Sequence, residues 1–92
     1  MIPQILLDSL DTFSDYEIII ICETLNTLYG TGTKYPFTGQ KTVKGEWHKS
    51  DLLHYFNTID FNTEPVQYMV IMGIFSTIFT QKRILNSINK TK

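Results

Sequence analysis

One segment of this chain, residues 66–79, constrains the fold most, because it is apolar on nearly every side of a helix. It follows Thr63, Glu64 and Pro65, a capping residue, an acid and a first-turn proline, a combination typical of a helix start. A helix that is apolar all round is normally surrounded by other elements. We therefore predict a long helix over residues 63–89 that forms the centre of the core or of an oligomer.

Four small residues lie together on one strip of this predicted helix: Gly73, Ser76, Thr77 and Thr80. The strip would let another helix approach closely, either from the same chain or from a second copy. A chain of 92 residues builds only a small core, and self-association often stabilises such domains. The chain also contains no alanine, the best helix former, so its helices depend on tertiary or quaternary burial. We therefore predict a homodimer that uses this strip.

The first 30 residues predict two helices. Apolar residues at helical spacing over residues 2–13 indicate a short first helix. Ser14 and Glu17 then match a capping box, in which the serine hydroxyl accepts the N–H three residues on and the glutamate reaches back. One apolar stripe follows for a second helix: Ile18, Ile21, Cys22, Leu25, Leu28 and Tyr29. The β-branched run at residues 18–21 also permits a strand, so both interpretations stay open.

If the second helix is correct, Tyr16 and Ile20 lie on its outer face, opposite the apolar stripe. An exposed tyrosine and isoleucine on so small a chain form a candidate second contact patch. Farther along, Ser50 is a suitable N-cap for a short helix over residues 50–60. The whole chain, residues 1–92, is thus predicted to be one all-α domain, a small bundle of three or four helices.

Residues 31–49 form a long connection without a regular pattern, rich in glycine, aromatic residues and lysine. Residues 42–47 are compatible with a short β-hairpin within it. Aromatic side chains anchor many protein interfaces, and their density here favours recognition of a partner. The predicted partner-binding residues are Tyr35, Phe37, Lys41, Lys44, Trp47 and Lys49. In the alternative interpretation, Phe37 and Trp47 cover an end of the helical core.

The same connection supports a second functional hypothesis, because residues 34–49 interleave lysines with rings that can stack on bases. The chain as a whole matches nucleic-acid-binding proteins poorly, with a pI near 6.0 and a single arginine, Arg83. Its net charge of −1 resolves into blocks of −5 over residues 1–33, +3 over 34–49, −3 over 50–64 and +4 over 65–92. Such blocks either neutralise one another in the fold or create faces of opposite charge. Nucleic-acid binding is therefore the alternative function.

No motif for catalysis, nucleotide binding or metal binding occurs in the sequence. Residue types that bind metals cluster at Glu46, His48, Asp51 and His54, but this spacing is not diagnostic and fits surface histidines and a capping acid better than a metal site. Cys22 is the single cysteine and belongs to the apolar stripe, so it offers neither an intrachain disulfide nor an accessible nucleophile. We therefore expect no enzymatic activity, no cofactor and no bound metal.

The remaining features concern where the protein acts. A single cysteine indicates a reducing compartment, and neither a secretory signal nor an apolar stretch of about 20 residues is visible. We therefore expect a cytoplasmic protein that does not bind membranes. The lack of alanine and the single arginine indicate an A+T-rich genome, such as that of a phage or virus. Together these features predict a non-enzymatic protein-binding module, in its most specific form a phage or viral accessory protein that inhibits or redirects a host protein such as a defence enzyme.

Overall fold

The computed structural model describes residues 1–38 and 46–90, with side chains described as far as residue 88. Four helices make up most of this part of the chain: α1 (Gln4–Leu10), α2 (Asp15–Tyr29), α3 (Lys49–Thr58) and α4 (Pro65–Lys90). Neither described segment contains a strand, so the prediction of a small all-α bundle is confirmed. The hairpin suggested for residues 42–47 falls largely on residues 39–45, which lie outside the described part.

The capping box at the start of α2 forms as the sequence predicts. Ser14 has an extended backbone, and its hydroxyl accepts a hydrogen bond of 3.2 Å from the backbone N–H of Glu17. The Glu17 carboxylate in turn accepts the Ser14 N–H at 2.7 Å. The strand alternative for residues 18–21 is wrong, because all four isoleucines lie in α2, where Ile18 and Ile21 are buried. The free energy gained by burying these side chains in the core outweighs the modest loss of side-chain freedom that β-branched residues suffer in a helix.

α4 packs on α2 through one face. The buried residues of this face are Ile71, Phe75 and Ile78. Their spacing of four and three residues places them on the same side of the helix. Glu17 near the start of α2 pairs with Lys82 near the end of α4, with 3.3 Å between Oε1 and Nζ. Farther along α2, Thr24 lines the same cavity as Ile74, so the two helices run antiparallel.

Aromatic rings fill much of the core. Phe75 is fully buried, and its ring centroid lies 5.0 Å from that of Phe13 and 6.2 Å from that of Phe56 in α3. Phe13 also stacks on Phe79 at 5.0 Å. Ring pairs of this kind contribute about 0.5–1.5 kcal/mol each beyond the burial of their area. They join α3, α4 and the turn after α1 in one hydrophobic cluster, to which α1 adds two buried leucines.

α4 differs from the surrounded helix that its composition predicts. Val66 and Met69 are 69% and 68% exposed, and every side chain at residues 83–88 is exposed as well. Length is one reason, since α4 has 26 residues and spans about 39 Å, whereas α2 has 15 and spans about 22 Å. Within one copy of the chain, the other helices cover one face of α4 and leave its opposite face and its last turns in solvent.

α3 begins before its predicted N-cap, Ser50. His48 occupies the N-cap position, and its backbone N–H donates to Oδ2 of Asp51 at 2.8 Å. The helix ends at Thr58, and the following Ile59 is extended and buried. The short helix predicted over residues 50–60 is therefore present but lies slightly earlier in the chain, because Asp51 caps it through the backbone of His48.

Matched substitutions at Ile21 and Ile5 test which of the two side chains is packed in the core. Ile21 is fully buried in α2, whereas Ile5 in α1 is about half exposed. We expect Ile21→Val to lower the free energy of unfolding by about 0.5–1.5 kcal/mol, because removing a buried methylene loses burial and leaves a cavity. Ile5→Val removes the same group from the surface and should change it by less than about 0.5 kcal/mol. Urea denaturation followed by circular dichroism measures both, and equal losses would contradict this packing.

Candidate protein-binding surface

The connection between α2 and α3 places two of its three aromatic rings inside the protein. Phe37 and Trp47 are only 2% and 5% exposed. The centroid of the Phe37 ring lies 5.2 Å from that of Trp47 and 5.4 Å from that of Tyr55 in α3. The backbone N–H of Phe37 also donates to the carbonyl oxygen of Tyr29, at the end of α2, at 2.7 Å. We therefore correct the assignment of both rings: buried side chains extend the core and offer no contact area to a partner.

One polar contact accompanies the burial of Trp47. Its indole N–H donates to Oε1 of Glu23 in α2 at 2.9 Å. A buried indole without an acceptor would lose about 1–3 kcal/mol, so this hydrogen bond makes the buried position of the ring favourable. The bond also attaches the segment just before α3 to the middle of α2. The end of the connection is therefore a structural part of the bundle.

Two of the polar residues predicted to bind a partner, Tyr35 and Lys49, form contacts within the chain, and so does their neighbour Lys34. Lys34 Nζ lies 3.0 Å from Oε1 of Glu64, which also accepts a hydrogen bond of 3.2 Å from the hydroxyl of Tyr35. The hydrogen bond from Lys34 lowers the pKa of Glu64. Lys49 pairs with Asp11, with 2.7 Å between Nζ and Oδ1. Two further predicted residues lie outside the described part of the chain: Lys41 and Lys44.

The structure also describes the candidate metal ligands near α3. Asp51 accepts the backbone N–H of His48 and so caps the helix. His54 lies one turn further on and is exposed. Over residues 1–38 and 46–90, no three side chains of the His, Cys, Asp or Glu type are placed to hold a metal ion together. Asp51 and the backbone of His48 therefore form the N-terminal cap of α3.

Cys22 combines complete burial with a thiol that resists ionisation. Burial raises the pKa of this thiol to about 12, and the nearby carboxylates of Asp51 and Glu23 act in the same direction. Its Sγ lies 3.9 Å from the carbonyl oxygen of His48, a geometry that suits a weak hydrogen bond from a protonated thiol. The thiolate is the nucleophilic form, so at neutral pH Cys22 packs in the core rather than attacking a substrate.

Thiol labelling tests this description of Cys22. We expect the native protein at pH 8 to react with Ellman's reagent at least about a hundredfold more slowly than the same protein in denaturant, where the thiol pKa returns to about 8.5. Raising the pH should restore little reactivity while the protein stays folded, because burial also blocks the reagent. Rapid stoichiometric labelling of the native protein would contradict the buried position and reopen the question of a reactive cysteine.

An open groove runs between α2 and α4 on the outer side of the bundle. Two cavities of about 260 and 130 Å³ make up the groove, and Ile20 and Ile78 line both. The larger cavity is lined by Ile20, Thr24, Ile74, Thr77, Ile78 and Gln81. Tyr16 borders the smaller cavity and is 72% exposed. The structure thus places both residues of the predicted second contact patch, Tyr16 and Ile20, along one groove.

The strip predicted for self-association lies on the exposed face of α4. All four of its residues are exposed: Gly73, Ser76, Thr77 and Thr80. A Cβ added at Gly73 would meet no atom within 4 Å, so the space over this glycine is open. From the sequence, we expected the large apolar residues on the same face to be buried in a surrounded core, so their exposure was not predicted. Self-association through this strip stays a prediction.

Comparisons with known proteins assign no family to this chain, since no family model, curated protein or solved structure matches it. In the part of the chain that the structure describes, no helix is both long and apolar enough to cross a membrane. We therefore infer function from two surfaces of the chain itself, the groove between α2 and α4 and the exposed face of α4.

Proposed function

We propose that this protein is a non-enzymatic protein-binding module whose partner binds in the groove between α2 and α4. The observation that carries this proposal is the position of Tyr16, an exposed aromatic ring beside an apolar floor that contains Ile20 and Ile78. Tyrosine is among the residues that contribute most to binding at interfaces, because it combines a large apolar surface with a hydroxyl group.

The groove also indicates which partner chemistry it suits. Ile20, Ile74 and Ile78 supply apolar surface, while the ion pair of Glu17 and Lys82 lies at the smaller cavity. Grooves of this kind commonly bind one apolar face of a helix, with polar residues at the rim. We therefore propose that the partner presents an amphipathic helix, with apolar residues toward α2 and α4 and charged residues toward the rim.

Three observations favour binding over catalysis. Cys22 is buried and protonated, Asp51 caps α3, and Glu23 accepts the indole N–H of Trp47. Each of these chemically capable groups thus has a structural role in the bundle. The proposal of a non-enzymatic module is consistent with these roles.

The biological setting is proposed from composition. The lack of alanine and the single arginine suit an A+T-rich phage or viral genome. We propose an accessory protein that acts in the host cytoplasm, as a homodimer, and inhibits or redirects a host protein such as a defence enzyme. The alternative, nucleic-acid binding through residues 34–49, loses support because two of the rings available for stacking, Phe37 and Trp47, are buried.

Photo-crosslinking from the groove tests the proposal. A photoreactive phenylalanine derivative is placed at Tyr16, and the matched control carries it at Leu28, which is also exposed on α2. In host lysate, we expect position 16 to crosslink one protein strongly and position 28 to crosslink it weakly. With the purified partner, Tyr16→Ala should then weaken binding about tenfold or more, the effect typical of an interface anchor.

Two results would contradict this function. One is equal crosslinking from positions 16 and 28, which would show that the groove is not the binding site. The other is retention of an oligonucleotide at low salt with an affinity that falls steeply as salt rises, which would favour the nucleic-acid alternative. Circular dichroism of Tyr16→Ala checks that the helices are intact.

A further inference from the structure

We propose that the exposed face of α4 pairs with the same face of a second copy, with the two α4 helices antiparallel and crossing near Thr77. The inference depends on the homodimer of the proposed function and specifies the surface and orientation that form it. Thr77 also lines the larger cavity of the groove, whereas Tyr16 lines the smaller one, so crosslinking from Tyr16 and formation of the dimer can fail separately.

The exposed face has the spacing of a helix-pairing seam. Its positions alternate between steps of four and three residues, as in a coiled coil: Val66, Val70, Gly73, Thr77, Thr80 and Ile84. Ile88 follows one turn after Ile84. Apart from Val70, which is partly buried, all of these side chains are exposed. No charged residue occurs in residues 65–81, so this face can be covered over more than four turns without burying a charge.

The last turns of α4 supply a second observation. Every side chain at residues 83–88 is exposed, yet three of them are large and apolar: Ile84, Leu85 and Ile88. A helical end without packing is marginal in water, because most helical stability in proteins comes from burial of an apolar face. The first turns of α4 expose Val66 and Met69 in the same way. The helix thus has, at each end, large apolar side chains that are about half exposed or more.

A two-fold axis at Thr77 covers both ends in one contact. Val66 and Ile88 each lie eleven residues from Thr77, and Val70 and Ile84 each lie seven residues from it. In an antiparallel pair, the bulky residues at one end of α4 therefore meet the bulky residues at the other end of its partner. A two-fold interface pairs residue i with residue j twice, which is the pattern that this spacing provides. Gly73, with open space above it, lies near the crossing and allows close approach.

Charge favours the antiparallel orientation over the parallel one. A parallel pair would bring Arg83 near the same arginine of the second copy, which is unfavourable. In the antiparallel pair, Arg83 lies opposite position 71 of the second copy, about 18 Å along the axis from that copy's Arg83. The opposed helix dipoles of an antiparallel pair act in the same direction.

The size of the face predicts a reversible dimer. From Val66 to Ile88 it runs for about 33 Å, and a helix is about 10 Å wide. A footprint of a few hundred Å² on each copy is smaller than the roughly 800 Å² per partner of a standard stable interface. We therefore expect the dimer to form with concentration rather than to persist at high dilution.

Sedimentation velocity over a concentration series tests the surface, with Gly73→Leu as the decisive variant. The monomer has room for this side chain and gains helix propensity, so helical circular dichroism and thermal stability at high dilution should not fall. The dimer should weaken about tenfold or more, because the leucine separates the paired helices. The control is Asn86→Leu, which adds the same side chain to an exposed position off the seam and should leave the dimer unchanged.

Disulfide trapping tests the orientation. When Val70→Cys and Ile84→Cys proteins are mixed under mild oxidation, the antiparallel pair predicts that the mixed disulfide predominates over either homodisulfide. Predominant disulfides between two copies of Val70→Cys would overturn the antiparallel arrangement while leaving a dimer. A wild-type protein that stays monomeric at all concentrations, or a Gly73→Leu variant that dimerises normally, would overturn the pairing itself. Neither result would affect crosslinking of a host protein from position 16.

Discussion

The packing of one face of α4 on α2 is the interaction on which the rest of the structure depends. Ile71, Phe75 and Ile78 bring α4 into the core, and the ring of Phe75 connects it to Phe13 and Phe56. Because the helices contain no alanine, they depend on this burial more than on intrinsic helix propensity. The same contact also determines which surfaces stay open, since α2 is too short to accompany α4 along its length.

The burial of the α2–α3 connection changes where function is sought. Phe37 packs against Tyr55, and the indole of Trp47 donates to Glu23, so these two rings of the connection are part of the core. The candidate surfaces are then on helices: the groove beside Tyr16 and the exposed face of α4. A small bundle can use two helical faces at once, one for a second copy and one for a different protein.

Local signals in the sequence predicted the local structure well. The Ser14 and Glu17 pair specified the start of α2, because both halves of a capping box lie within four residues. Pro65 indicated the start of α4 for a different local reason: a first-turn proline lacks an N–H that the helix would not use there. Whether residues 18–21 form a helix or a strand depends on tertiary burial, which no local window contains, so the sequence left that choice open.

The functional surfaces were harder to predict, because residue type does not determine burial. Phe37 and Trp47 suit an interface and a core equally, and the choice depends on acceptors and rings that lie far away in sequence. The opposite error affected α4, whose apolar composition indicated a surrounded helix. Its exposed face became visible only when the lengths of α2 and α4 could be compared in space. Tyr16 and Ile20 line the same groove, and a single helical wheel is enough to place them on one side of α2. Their role as a contact patch stays a prediction.

The central claim is that α4 uses one face for the core and the other for a second copy. Amide hydrogen exchange of α4 at low and high protein concentration tests it most directly. The account predicts that amides at residues 80–88 exchange quickly in dilute protein and become protected as concentration rises, while the amides of Ile71 and Phe75 are protected throughout. Identical exchange of residues 80–88 at both concentrations would contradict the claim.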